Sequence, residues 1–393
     1  MNEVNAVSDA VVTSDDPALT ENEAAPVRGS DTPKPRQFPC GGCGATLSYS
    51  PGTSSLTCEY CGHTQALPML KGGTEELDFQ AWLKRAEGDG ELQEVAVVRC
   101  GTCGAEVEPE AGTTAMACPF CGTGMDMHAV SQRQIKPTSL LPFTVEKRQA
   151  RDKFKEWVAS RWFAPSRLKS AARQETTLKG VYVPYWTFDA QTDSDYRGER
   201  GIHYQVTESY TAEEDGKTVQ KTRTVTRTRW TPVSGELSHW FDDVLVVASE
   251  ALPRELARKL EPWDLAELVA YDSRYVSGFN AQSYQVDLKP GFELAKKRMA
   301  PAIEDLIEDQ IGGDEQRVEQ VTTRYRDVTF KHLLLPIWIS AYRFGDETYR
   351  FLINGRTGEV QGERPYSWVK IGLLIAAVAA VVGGIWWWVS TQQ

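Results

Sequence analysis

The sequence predicts an α+β protein in which two small N-terminal cysteine modules precede a mixed α+β domain with antiparallel strands and one C-terminal transmembrane helix. Three observations predict this. All eight cysteines fall into Cys-x-x-Cys pairs within the first third of the 393 residues. The segment IGLLIAAVAAVVGGIWWWV, Ile371 to Val389, carries no charge. Between these ends the composition shifts to aromatics, Thr and Val interspersed with helical spacing.

The cysteines form two near-identical units, Cys40, Cys43, Cys58, Cys61 and Cys100, Cys103, Cys118, Cys121, and the inner gap is fourteen residues in each. The flanking text repeats as well, PCGGCGATLSYSPGTSSLTCEYCG against RCGTCGAEVEPEAGTTAMACPFCG. A tetrahedral ion needs four thiolates, and two tight Cys-x-x-Cys turns supply two each from opposite ends of a short hairpin. Gly44, Gly62, Gly104 and Gly122 follow the second cysteine of each pair, where a positive φ lets backbone amides point at sulfur. Disulfides would call for a secretory signal, and the N-terminus has no apolar run of that kind. Both units resemble zinc ribbons of the transcription-factor-IIB and rubredoxin-like kind, over residues 37–67 and 97–130. The resemblance implies two structural Zn2+ ions, with iron the second choice for four sulfurs. Every position is a cysteine, so neither site keeps a coordination place open for catalysis.

The nineteen residues Ile371–Val389 cover ~28 Å at about 1.5 Å per residue, close to a bilayer core, and the transmembrane helix is expected over 370–389. Arg364 and Lys370 precede it, Trp386, Trp387 and Trp388 form an aromatic belt at its far end, and Ser390 to Gln393 follow. The chain is therefore expected to be a single-pass, tail-anchored protein of the cytoplasmic membrane with its bulk in the cytoplasm. Gly372, Ala376, Ala380 and Gly384 recur every four residues, the small-xxx-small spacing that brings two helices together, so a homodimer is an expectation too.

Residues 1–36 are acidic, rich in Pro, Ser and Ala, and read as a disordered tail. Residues 68–96 are a linker in which Thr74–Ala86 has the apolar spacing of a helix, at Leu77, Phe79, Trp82 and Leu83, before a GDG break. The α+β domain spans 131–366. Helices are expected at Val145–Trp162 (stopped by APS), Pro253–Leu260, Pro262–Ala270 and Pro290–Ile311, the last ended by Gly312 and Gly313. Strands are expected at Gly180–Ala190, Tyr204–Thr211, Lys217–Trp230 and Asp242–Ala248, the middle two joined across EEDG. LLLPIWISAYRFGDETYRFLINGRTGEV reads as three strands with an Asn-Gly turn. Its Pro336 and Trp338 echo Pro184 and Trp186, a hint of internal duplication, and both tryptophans are assigned to the core.

In KTRTVTRTRW, a strand places Lys221, Arg223, Arg227 and Arg229 on one face and threonines on the other. Two readings stand side by side: contact with anionic lipid headgroups, or a solvated hairpin whose cations pair with Glu208, Glu213 and Glu214. Enzyme signatures are missing. DGKT at Asp215–Thr218 has the ending of a phosphate loop, but Thr211 stands where the first glycine belongs. The five histidines, His63, His128, His203, His239 and His332, are scattered. The net charge of −11, with Glu106, Glu108 and Glu110 on the second ribbon and no Lys or Arg between Arg36 and Lys71, speaks against a nucleic-acid face.

With its two ribbons, LPIW, INGRTGEV and apolar C-terminal segment, the chain resembles a family of uncharacterised bacterial membrane-anchored zinc-ribbon proteins, some labelled primosomal-helicase-like. INGRTGEV also resembles the strand-turn-strand of PepSY-type domains. The helicase motor motifs are absent. The expected function is a non-enzymatic adaptor that binds protein partners at the membrane through its ribbons. The alternative is membrane-associated nucleic-acid binding through the same ribbons.

Overall fold

A computed structural model describes residues 38–67, 75–86, 92–109, 113, 115–161, 178–214, 217–344, 347–363 and 368–391. The expected tail 1–36, the GDG break, Glu110, Trp162 with its APS stop, Asp215, Gly216 and Arg364 lie outside them. The fold is mixed α+β. Three long antiparallel strands carry it: Lys179–Glu214, Lys217–Val247 and Glu315–Phe344. The first is central, pairing with the second from Tyr185↔Val247 to Glu214↔Lys217 and with the third from Lys179↔Ile339 to Gly201↔Glu315. Around them a 12-stranded sheet is completed on the third strand by Ser139–Leu140, Glu347–Asn354 and then Val360–Gly362. On the first strand it continues through Asn280–Gln282, Glu106–Glu108, Leu92–Arg99 and Val130–Ile135. The sheet thus runs across the sequence boundary at 130/131 and takes the second cysteine module into its plane.

The root of the sheet is buried on both faces because its strands are continuous apolar runs. Val181, Tyr182, Val183, Tyr185, Trp186 and Phe188 are all buried, as are Leu333, Leu334, Leu335, Ile337 and Ile339. One face packs with Phe143, Phe154, Phe279 and Trp338, the other with Leu252, Leu260 and Trp263. Farther along, helix Leu288–Ile311 covers Trp186, Phe188 and Tyr196 with Phe292, Met299, Ile303 and Ile307. Both tryptophans of the Pro-x-Trp strands are core, as expected, and their indoles are satisfied: Trp186 Nε1 donates to Val286 O and Trp338 Nε1 to Val145 O, each at 2.8 Å.

Several elements differ from the sequence reading. The four short strands expected between residues 180 and 248 are parts of two continuous ones. Gly198, Gly201, Pro232 and Gly235 lie inside these strands, and glycine serves close approach here: a Cβ on Gly235 would lie 2.6 Å from Tyr196 Oη. Pro232 is tolerated because its strand pairs on one side only among the described residues. The EEDG loop is correspondingly shorter, since pairing reaches Glu214↔Lys217. The expected helix Pro262–Ala270 is a 3-10 turn, Leu265–Glu267, because Val269–Ala270 is taken by pairing with Ser139–Leu140. The linker helix starts at Phe79, not Thr74, since Leu77–Asp78 pairs with Thr329–Phe330 and the Asp78 carboxylate then accepts from Ala81 N. The linker's end is strand, from Leu92.

All three long strands are irregular at one level, beside Asp189. The first strand shifts register against the second between Phe188 and Ala190, and against the third between Asp189 and Gln191. Asp243 and Asp327 there adopt positive φ, 48° and 49°. Lys331 fills this level: its buried Nζ lies 2.8 Å from Asp243, 3.3 Å from Glu76 and 4.0 Å from Asp189. Asp189 is buried and accepts from Asp243 N and Thr329 Oγ1 at 2.6 and 3.1 Å. Burial pushes its carboxyl from 3.8 up to about 6. Next along the strand, burial holds the His332 imidazole down from 6.5 to about 4, with Nδ1–H donating to Ile135 O at 2.8 Å.

The two groups act oppositely on stability. His332, with its folded value depressed, costs stability as pH falls from 6.5 towards 4; Asp189, with its folded value raised, adds stability as pH falls from about 6 towards 3.8. Asp189→Asn keeps an acceptor for Asp243 N and removes only the second slope. Its unfolding temperature is expected to drop more steeply than that of the native chain between pH 6 and 4.5, and parallel curves would contradict this assignment.

Candidate metal centres

In each module the four sulfurs converge. All Sγ atoms of a cluster lie within 4.8 Å of one another. Cys40–Cys61 and Cys43–Cys58 are 3.6 and 3.5 Å apart, and Cys100–Cys121 and Cys103–Cys118 are both 3.6 Å apart. A tetrahedron with metal–sulfur bonds of about 2.3 Å has edges of ~3.8 Å, so the residues fit an ion. The turns that aim the sulfurs are those the glycines were expected to allow. Gly44, Gly62, Gly104 and Gly122 have φ of 76°, 72°, 73° and 78°, and each amide donates back to the carbonyl of the first cysteine of its pair. Gly42 N also points at Cys40 Sγ, 3.4 Å away. Amides of Cys61 and Tyr60 pull the Cys58 thiol down and the Cys118 thiol donating to Cys103 pulls Cys103 down, while Cys61 and Cys118 are pushed up by sulfur neighbours, so without an ion each cluster holds thiolate and thiol side by side. The lowered groups favour thiolate, the form that binds metal.

The body holds the two modules differently. The second is part of the sheet: Glu106–Glu108 pairs on both sides, Lys179 Nζ donates to Ala117 O at 2.6 Å, and Gln285 Nε2 donates to Gly104 O at 2.8 Å. The first keeps its own three-stranded sheet, Ser48–Tyr49, Ser55–Thr57 and Thr64–Ala66. It docks through Tyr49, whose amide donates to Ser277 O at 2.9 Å and whose ring packs 5.1 Å from Tyr275. Leu47 and Leu56 accompany it in the core.

The duplication allows a position-by-position comparison of the knuckles. Phe120, between Cys118 and Cys121, is 0% exposed and belongs to the core cluster with Val98, Val107 and Met125. Tyr60 holds the same place between Cys58 and Cys61 and is 85% exposed. Around it Cys43, Cys61, Gly41, Gly42 and His63 are exposed as well. Tyr60 was not singled out in the sequence, although aligning the two repeats places it opposite Phe120.

The remaining sequence-predicted sites are placed as follows. Arg223 and Arg227 both pair with Glu208, Arg223 at 3.3 Å, which matches the hairpin reading for these two cations. Arg229 stacks over Tyr204 with 5.2 Å to the ring centre, and Arg223 over Tyr210 with 5.8 Å. Gly372, Ala376, Ala380 and Gly384 lie on helix Trp368–Ser390 and are exposed along with their neighbours. Gly372–Ser390 is the one helix, among the described residues, long and apolar enough to cross a membrane. The histidines are not brought together: His332 is buried, and His203 pairs with Glu315 at 2.6 Å.

Neither a family model nor a solved structure matches the chain. A Bacillus subtilis (strain 168) protein, "Uncharacterized protein YdjG", is 26% identical over 343 residues, which cover 87% of this chain and 94% of that protein.

Metal analysis of the full chain is expected to give two equivalents of one ion, and Cys58→Ser and Cys118→Ser should each lose one. Because the second module is woven into the sheet, Cys118→Ser should lower the unfolding temperature by clearly more than Cys58→Ser; equal losses would contradict the unequal integration.

Proposed function

We propose that the chain is a membrane-tethered adaptor. Zn2+ in both ribbons holds the knuckles in shape, and helix Trp368–Ser390 fixes the body at the cytoplasmic face of the membrane. The first ribbon recruits a protein partner. The observation that carries this reading is the contrast between Tyr60 and Phe120: one knuckle aromatic is buried by the chain's own body, and its twin is left in solvent beside two exposed cysteines. A large amphipathic ring held on a rigid, metal-braced turn is the kind of anchor on which interfaces concentrate binding energy. Residues 38–67 carry Glu59 and no lysine or arginine, so the recruiting face is chemically suited to protein rather than to phosphate. The four thiolates of each site favour zinc, with iron the second choice, and leave no coordination place for a substrate, in keeping with a non-enzymatic role.

Purification of the full chain from its native membrane, with bound protein and nucleic acid measured together, tests the proposal. A stoichiometric protein partner should be present with the native chain and be lost in Tyr60→Ser, while both metal equivalents are retained. Nucleic acid without such a partner would move the nucleic-acid reading to the front, and a partner indifferent to Tyr60 would overturn recruitment by the first ribbon's knuckle.

A further inference from the structure

Beyond Gly201 the third strand is left behind, and the first two continue alone as a two-stranded arm, Ile202–Glu214 against Lys217–Arg229. At ~3.3 Å per residue the arm is roughly 40 Å long. Its two faces differ in chemistry. One carries His203, Gln205, Thr207, Ser209 and Thr211 opposite Thr222, Thr224, Thr226 and Thr228. The other carries Ile202, Tyr204, Val206 and Tyr210 opposite Val219 and Val225, with Lys221, Arg223, Arg227 and Arg229 among them and Glu208 as the carboxylate. Ile202, Tyr204 and Tyr210 are 45%, 37% and 42% exposed.

This second face continues one that the chain already covers with a helix. Even-numbered positions of the first strand run from Thr192, Ser194 and Tyr196 under helix Leu288–Ile311 to Gly198, where a Cβ would lie 3.1 Å from Ile311 Cδ1. The helix stops at Gly312, with φ of 63°, and a Cβ on Gly313 would lie 3.3 Å from Ile202 Cδ1. The apolar row therefore goes on past the point where its cover ends.

We propose that this face seats an acidic amphipathic helix of a protein partner, laid along the arm as a continuation of helix Leu288–Ile311. A ribbon of roughly 40 Å accepts a helix of about 27 residues at 1.5 Å per residue. Among the described side chains of this face, four cations stand against one carboxylate, which selects glutamate and aspartate along the helix flanks, while Ile202, Tyr204, Val206 and Val225 receive its apolar stripe. The guanidinium groups of Arg229 and Arg223 lie over the Tyr204 and Tyr210 rings, so the cations border the apolar row. A second copy of the chain would bring the same cations against each other. A bilayer is the weaker fit: the membrane helix follows Val360–Gly362, at the Lys179 end of the sheet, and Ile202 lies ~75 Å farther along the strand. The inference rests on the arm alone and holds whether or not the first ribbon recruits.

The test uses the full chain in nanodiscs and a fluorescein-labelled 24-residue peptide with leucine at i, i+3, i+4 and i+7 and glutamate on both flanks. Anisotropy should report binding that weakens at least tenfold in Tyr204→Ser/Tyr210→Ser and in Arg223→Glu/Arg229→Glu. The same peptide with lysine for glutamate should bind the charge-reversed arm better than the native one. Retention of both metal equivalents shows that each variant is folded. Equal binding to native and variant arms, or equal binding of the lysine and glutamate peptides to the native arm, overturns the proposal. So does hydrogen-exchange protection of residues 202–230 that depends on phosphatidylglycerol in the nanodisc and does not respond to the glutamate peptide.

Discussion

The structure depends on a problem of cover. A strand from Lys179 to Glu214 presents two faces along its whole length, and each stretch must be buried, shared with a neighbour or made tolerant of water. The chain answers in three zones. Up to Ala190 both faces are packed, and the sequence is a continuous apolar run. From Gln191 to Gly201 the helix Leu288–Ile311 covers one face, and burial alternates: Thr192, Ser194, Tyr196 and Gly198 are buried while their neighbours face outward. Beyond Gly201 neither helix nor third strand follows among the described residues, and threonine, arginine and tyrosine take over. The irregularities at Asp189, Asp243 and Asp327 lie where the first zone passes into the second, and the buried Lys331 supplies the charge that lets carboxylates sit there.

These zones explain what could be read from the sequence and what could not. The cysteine modules were legible because tetrahedral coordination ties chemistry to spacing so tightly that eight residues identify both clusters. The membrane-length helix was legible because a bilayer demands a charge-free run of fixed length. The strand at Gly180 was legible as an apolar run, but its continuation was not. Once one face meets solvent, local pattern weakens, and QTDSDYRGERG reads as loop although it is held by two partners at once. The helix expected at Pro262–Ala270 failed for a related reason: two residues of distant pairing outweigh a run of local helix propensity. Sequence spacing named every cysteine of the two clusters, whereas the exposed Tyr60 became visible only when the fold buried its twin.

That pair shows how the same module can be used in two ways. Both ribbons share ligands, glycine turns and knuckle geometry, so their difference lies in what surrounds them. In the second, Glu106–Glu108 is an inner strand of the main sheet and Phe120 is core, so an ion held by its four cysteines would brace the sheet as well. In the first, the root of the ribbon is buried through Leu47, Tyr49 and Leu56, while its tip is left free of the body. A metal at the tip then stabilises the shape of a surface rather than the interior.

The arm obeys the same logic at larger scale. Its base is fixed by the helix and by the third strand, and its outer part keeps the alternation of a covered sheet without the cover. A solvated hairpin has no need of Ile202, Tyr204, Val206 and Val225 in one row; polar residues such as those of the opposite face would serve it better and would protect its edges from unwanted pairing. The cations next to that row raise solubility and at the same time choose the sign of whatever docks. Sidedness of this kind, in a stretch that no other element covers among the described residues, is what a docking surface requires and a merely water-tolerant hairpin does not.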